Sequence, residues 1–200
     1  MFLTYHGFEE ASGISKKMLA QIKGLRENGH EVAVCHYSYA ADGSLCRYVG
    51  PLNGHGGDTD LVIANYGHGK LAALRQRLSY GCIYDYCVNN GTEMVYARSF
   101  MNASPPLVRL FRRLRKAGVR LVMEIPTYPY DGEFASLPLK HRLGHFVDRL
   151  FRRRLAAQFD AIVTFSGAAS IFGQRTINIS NGVDMEAIPV QSSKLKVQSS

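Results

Sequence analysis

Between Met1 and Tyr37 the chain passes from MFLTYH, apolar and suited to a strand, through the small-residue loop GFEEASG into a helical run. There Ile14, Met18, Ile22 and Leu25 recur at helical spacing, and the chain leaves through a second apolar stretch, HEVAVCHY. Ser12 or Ser15 can cap the start of the helix, and Asn28-Gly29 suits a left-handed stop. A strand, one amphipathic helix and another strand after a short link predict a crossover unit with parallel strands. That unit commits the chain to an α/β sheet with helices packed on it.

The same alternation continues downstream. SLCRYVGPLNGHGG reads as a short strand and a Gly-rich loop, and DTDLVIANYG either extends that strand or forms another. KLAALRQRLSYGCIYDYCVNNG is helical, broken or bent near Gly81, and Glu93 to Ser99 is a strand whose polar end carries Arg98. Pro105 and Pro106 start an arginine-rich helix that Gly118 ends, and Val119 to Pro126 makes the next strand. After the loop TYPYDGEF, a long helix from about Leu137 to Gln158 is expected to turn Leu139, Leu143, Phe146, Leu150 and Phe151 inward. DAIVTFS is a further strand, GAASIFG a turn or helical stub, and TINISNGVD a short strand entering a Gly-centred turn. The prediction is a doubly wound, mostly parallel, Rossmann-like sheet over residues 1–184, with 185–200 a low-complexity, disordered tail.

A hydrophobic content of 46% over 200 residues suffices for the core of one such domain. No apolar run approaches the roughly 18 residues that span a bilayer, and MFLTYHGFEE lacks a basic leader, so the expected location is cytoplasmic. Cys82 and Cys87 stand at a spacing some zinc sites use, but Cys35 and Cys46 are too far apart to complete a set, which leaves four free thiols and no metal. The formal net charge of +8 is concentrated in VRLFRRLRKAGVR and DRLFRRRL. In the first run Leu107, Leu110, Phe111 and Leu114 share a stripe, while Arg109, Arg112, Arg113, Arg115 and Lys116 take the remaining surface. Such helices either offer a solvated face or attract anionic lipid or polyphosphate, which would put the chain at the inner face of a membrane. Aromatic residues are not interleaved with the basic runs in a stacking pattern, so no nucleic acid is expected as a partner.

In a doubly wound sheet, ligands bind at the carboxyl ends of the strands. The loop after the first strand holds His6, Gly7, Glu9, Glu10 and Gly13 just ahead of a helix N-terminus, where backbone amides can receive an anion. Gly13 would either permit close approach of a phosphate or merely turn the chain. Neither GxGxxG nor GxxxxGK[ST] occurs, which counts against a nicotinamide or flavin oxidoreductase and against a P-loop enzyme. Arg98 and Glu124 end neighbouring strands, with Tyr128, Tyr130 and Asp131 just beyond, a combination suited to hydroxyl and phosphate recognition. His141 and His145 lie four apart on a helix, but without the HExxH glutamate they read as surface or core residues.

SGISKKMLAQIKGLRENGHEVAV, MVYARS, VRLVMEIPTYPYD, DAIVTFS and INISNGVD, in that order from about Phe2 to Asp184, resemble the N-terminal, acceptor-side half of a GT-B glycosyltransferase of the family 4 kind. The resemblance implies transfer of a sugar from a nucleotide diphosphate donor, with no other cofactor, to the hydroxyl of an acceptor glycan or lipid-linked glycan. It implies a cleft between two domains and, in most such enzymes, retention of configuration, the leaving phosphate itself helping to deprotonate the acceptor. Gly13 matches the glycine near the donor diphosphate. Where relatives carry a histidine and an aspartate on the acceptor side, this chain has Tyr128 and Asp131, its candidates for a catalytic role. The family's donor domain carries a lysine or arginine and two glutamates with seven residues between them. No such glutamate pair follows Asp184, so the chain is expected to be inactive without a separate C-terminal domain.

Overall fold

The computed structural model describes residues 1–5, 7–8, 12–52, 60–98, 103–129 and 139–180, and the side chains of 139–143 lie outside that description. In chain order the elements are β1 (Phe2–Leu3), α1 (Gly13–Glu27), β2 (Val34–Tyr39), β3 (Leu45–Gly50), β4 (Leu61–Asn65), α2 (Gly69–Leu78) and α3 (Gly81–Asn89). They continue as β5 (Met94–Arg98), α4 (Pro105–Lys116), β6 (Arg120–Ile125), α5 (Leu139–Ala156), β7 (Ala161–Thr164), β8 (Ser170–Ile171) and β9 (Gln174–Asn178). The strands form one nine-stranded sheet in the order β4-β3-β2-β1-β5-β6-β7-β9-β8.

The centre of this sheet is parallel: β1 pairs with β2 on one side and β5 on the other, and β5, β6, β7 and β9 follow in parallel. β2, β3 and β4 form an antiparallel extension at one edge, and β8 turns back on β9 at the other. The expected mostly parallel α/β sheet is therefore present, and DTDLVIANYG contributes a separate strand. Because the chain goes from β1 to β2 and only later returns to β5, strand order reverses between β1 and β5. A crevice between the loops leaving these two strands is the usual ligand position in such a sheet.

Alternation along the strands builds two apolar layers. Leu3, Val95, Ala97, Leu121, Met123 and Ile162 pack with Ile83 and Cys87 of α3, Leu107, Phe111 and Leu114 of α4, and Leu155 of α5. On the opposite face Phe2 and Val34 pack with Met18 and Ile22 of α1, and the Phe2 and Tyr96 rings stack at 5.4 Å. α4 begins at the two prolines, whose fixed φ suits the first helical turn, and Leu107, Leu110, Phe111 and Leu114 are buried as expected. Burying each contributes roughly 1.5–3 kcal/mol.

Two local expectations are corrected. Phe146 and Leu150 of α5 face solvent, at 59% and 55% exposure. Phe151 packs on the core as expected, and the inward stripe continues through Asp148, Arg152 and Leu155, because the Asp148 carboxylate accepts a 2.6 Å hydrogen bond from the Ala103 amide just ahead of α4. A polar side chain thus holds a buried position that hydropathy assigns to solvent. GAASIFG is neither a stub nor a simple turn: it supplies β8 and the hairpin residues Phe172 (φ 50°) and Gly173 (φ 85°) that lead into β9.

Candidate functional site

α1 lies with its N-terminus at the carboxyl end of β1. Ser12 caps it, its Oγ accepting from the Ser15 amide at 3.4 Å, while the Ser12 carbonyl accepts from Lys16 at 3.1 Å. The helix dipole and the unsatisfied amides of this first turn create a partial positive charge. Gly13 opens the helix without needing a left-handed φ, and a Cβ there would meet nothing within 4 Å. Neither backbone conformation nor packing requires glycine at this place, and the space beside it is open.

One and two turns further along α1, Lys17 and Gln21 face the ends of β5 and β6. Arg98 and Glu124 are register partners on those strands. Glu124 is fully buried: its Oε2 accepts from Gln21 Nε2 and from the Tyr96 hydroxyl, both at 2.7 Å, and its Oε1 lies 3.7 Å from Arg98 Nε. Oε1 has no hydrogen-bond partner among the described residues. Arg98, 6% exposed, also donates through Nη1 to Gln21 Oε1 at 3.1 Å. Burial, and then the adjacent carboxylate, push the Tyr96 phenol well above its ordinary value, which keeps it a donor to Glu124.

The Lys17 ammonium sits 4.1 Å from the ring centroid of Phe165, the residue after β7. Burial and the neighbouring Arg98 charge lower its pKa, with Glu124 opposing. Ser166 closes this side through its hydroxyl, 2.9 Å from that of the buried Thr164. Among the described residues, the helix N-terminus, the Arg98 guanidinium and the Lys17 ammonium are set against the one carboxylate of Glu124, a positive surplus suited to a phosphate, while Gln21 and Ser166 suit hydroxyl groups.

Of the residues predicted from sequence, Arg98 and Glu124 are brought together and Gly13 opens α1, the helix that reaches them. Tyr128 instead joins the apolar layer on the α3–α5 side, its ring edge-on to Phe172 at 5.7 Å. His6, Glu9, Glu10, Tyr130 and Asp131 lie outside the described residues, as does the tail from 185 onward. Sequence reasoning passed over Lys17, Gln21 and Tyr96. Tyr96 was within reach, because it stands two positions before Arg98 and so shares its face of the strand.

Two further polar clusters lie on β2 and β3. His36 Nε2 meets Asp60 Oδ2 at 3.0 Å, with the imidazole stacked on Tyr48 and Phe8 edge-on to it. On the other face Arg47 is completely buried, its Nε donating to the Tyr66 hydroxyl at 3.1 Å and its guanidinium 5.6 Å from the Tyr5 ring centroid and 6.0 Å from that of Tyr80. Among the described residues no three His, Cys, Asp or Glu side chains converge as a metal set, and the four cysteines are free thiols. No family model, curated protein or solved structure matches this chain.

Proposed function

We propose that this domain is the acceptor-side half of a glycosyltransferase, moving a sugar from a nucleotide diphosphate donor to the hydroxyl of an acceptor glycan or lipid-linked glycan. The observation that carries the reading is a coincidence of place. The β1/β5 reversal in strand order, the N-terminus of α1 and the Arg98–Glu124 pair all meet at one edge of the sheet. The order of the segments quoted above supports the same assignment.

In this reading the α1 amides, Lys17 and Arg98 offset the charge of the donor diphosphate, and open space beside Gly13 admits it. Glu124, held by Gln21 and Tyr96, orients Arg98. The acceptor oxygen forms a bond to the anomeric carbon as the bond from that carbon to the diphosphate breaks, and the acceptor proton passes to the departing phosphate. A second, nucleotide-binding domain forms the other wall of the cleft, so catalysis needs both walls.

The test is a transfer assay in which the full chain is combined with a donor-binding domain of the same fold class and a panel of nucleotide diphosphate sugars. Transfer is expected only from the combination, with Arg98→Ala lowering it at least about 100-fold, the scale of losing a charged transition-state contact. Turnover by the chain alone would refute the division of labour. Co-purifying nicotinamide or flavin absorbance would favour an oxidoreductase instead.

A further inference from the structure

We propose that the outer surface of the α4–α5 layer is a docking face for an anionic lipid bilayer. This inference is independent of the glycosyltransferase reading and rests on a different side of the molecule. α4 and α5 cover the same face of the sheet and are joined where Arg115 Nη1 donates to the Ala157 carbonyl at 2.8 Å. With the buried stripe of each helix turned toward the sheet, their opposite stripes look outward together.

On α4 Arg109, Arg112 and Lys116 are exposed and spaced i, i+3, i+7, while the guanidinium of Arg113 lies over the Tyr84 ring of α3, 3.7 Å from its centroid. On α5 the spacing i, i+3, i+4, i+7 gives Phe146, Arg149, Leu150 and Arg153, also exposed. α4 contains no carboxylate, and the single one in α5, Asp148, is buried against the Ala103 amide. The surface therefore combines cations from both helices with two large apolar side chains one helical turn apart.

Charge alone would fit any polyanion, but Phe146 and Leu150 decide between occupants. Two bulky apolar groups exposed to water by more than half have nothing to gain from a phosphate backbone, and among the described residues of the two helices Phe146 is the one exposed aromatic ring, too few to stack successive bases. Against a bilayer they can enter the headgroup–acyl boundary while the arginines around them meet anionic headgroups, the division found in interfacial helices. The mode is peripheral, since no helix among the described residues is long and apolar enough to cross a membrane.

Co-sedimentation of the full chain with phosphatidylcholine vesicles, with and without phosphatidylglycerol, tests this directly, with short duplex DNA as the competing polyanion. Binding is expected only to the phosphatidylglycerol vesicles and should weaken as salt rises. Arg149→Gln and Arg153→Gln should each reduce affinity about fivefold. Phe146→Ser with Leu150→Ser should reduce it at least about tenfold. Because all four side chains are exposed, unchanged thermal unfolding of each variant serves as the folding control. Absence of binding to anionic vesicles overturns the proposal, as does binding undiminished by the Phe146→Ser/Leu150→Ser pair, or DNA binding as tight as lipid binding.

Discussion

Glu124 is buried completely on β6, and its partner across the sheet, Arg98 at the end of β5, brings a guanidinium nitrogen to 3.7 Å from the carboxylate oxygen that lacks a hydrogen bond. The second oxygen is held by Tyr96 and Gln21. Breaking such a buried pair on one side strands a charge, whereas removing both members does not. Arg98→Ala should therefore lower stability by about 3 kcal/mol in urea unfolding, and adding Glu124→Leu should restore most of the loss. Additive losses in the double variant would mean that the pair is not coupled.

Gly50, the last residue of β3, has a different constraint. A Cβ there would fall 1.8 Å from Asp60 Oδ1 and 2.8 Å from the Asp60 Cα, so backbone as well as side chain would have to move. Asp60 is the partner of His36, and its Oδ1 also accepts from the Leu52 amide at 3.4 Å. Gly50→Ala should cost at least about 2 kcal/mol through displaced packing and a broken buried contact. The His36 ring protons, followed by NMR, should shift in the same variant; an unperturbed His36 and unchanged stability would contradict the geometry.

Arg47 raises the opposite expectation. Among the described residues its two terminal nitrogens have no hydrogen-bond partner and no carboxylate accompanies it in the cluster with Tyr5, Tyr66 and Tyr80. A well-shaped apolar replacement for an uncompensated buried charge is neutral or stabilising. Arg47→Met should then leave the thermal midpoint unchanged or raised, while Arg47→Ala, which leaves a cavity, should cost about 2–5 kcal/mol. Equal destabilisation by both would show that the guanidinium itself is needed.

How much of this was legible beforehand depends on whether the governing contact is local. α1 and α4 announce themselves because cap, apolar stripe and stop residues all lie within one short window, as do the strand ends that carry Arg98 and Glu124. On α5 the sequence pattern turns Phe146 and Leu150 inward with Phe151, whereas the buried position belongs to Asp148, whose carboxylate finds its partner at Ala103, 45 positions away. The β8–β9 hairpin was hidden because Phe172 occupies a left-handed position that hairpins usually give to Asn or Gly, and its ring is engaged by Tyr128 and by the Arg152 guanidinium 4.8 Å away. Gln21 escaped notice for the same reason as Asp148: only the tertiary fold brings it to Glu124.

Stability should also fall in alkali. Burial pushes the Cys35 thiol up to about 11, opposed by the nearby Arg47 charge, and burial likewise takes Cys87 to about 12. An unfolded thiol releases its proton near 8.5, so between that pH and about 11 the folded chain holds more protons than the unfolded one, and stability decreases as pH rises. For Cys35 the loss is on the order of 1–3 kcal/mol across that window. Urea unfolding at a series of pH values should give a shallower slope for Cys35→Ala than for the parent; identical slopes would assign the effect elsewhere.

The central claim, that the edge where β1 and β5 part is a ligand site, is tested most directly by amide NMR of the full chain titrated with a nucleotide diphosphate sugar. The predicted result is shifts concentrated at Ser12, Gly13, Lys17 and Ser166 that vanish in Arg98→Ala. Shifts confined to the pocket at the opposite edge, lined by Arg26, His30, Val32, Pro51 and Tyr86, or shifts unaffected by Arg98→Ala, would contradict it.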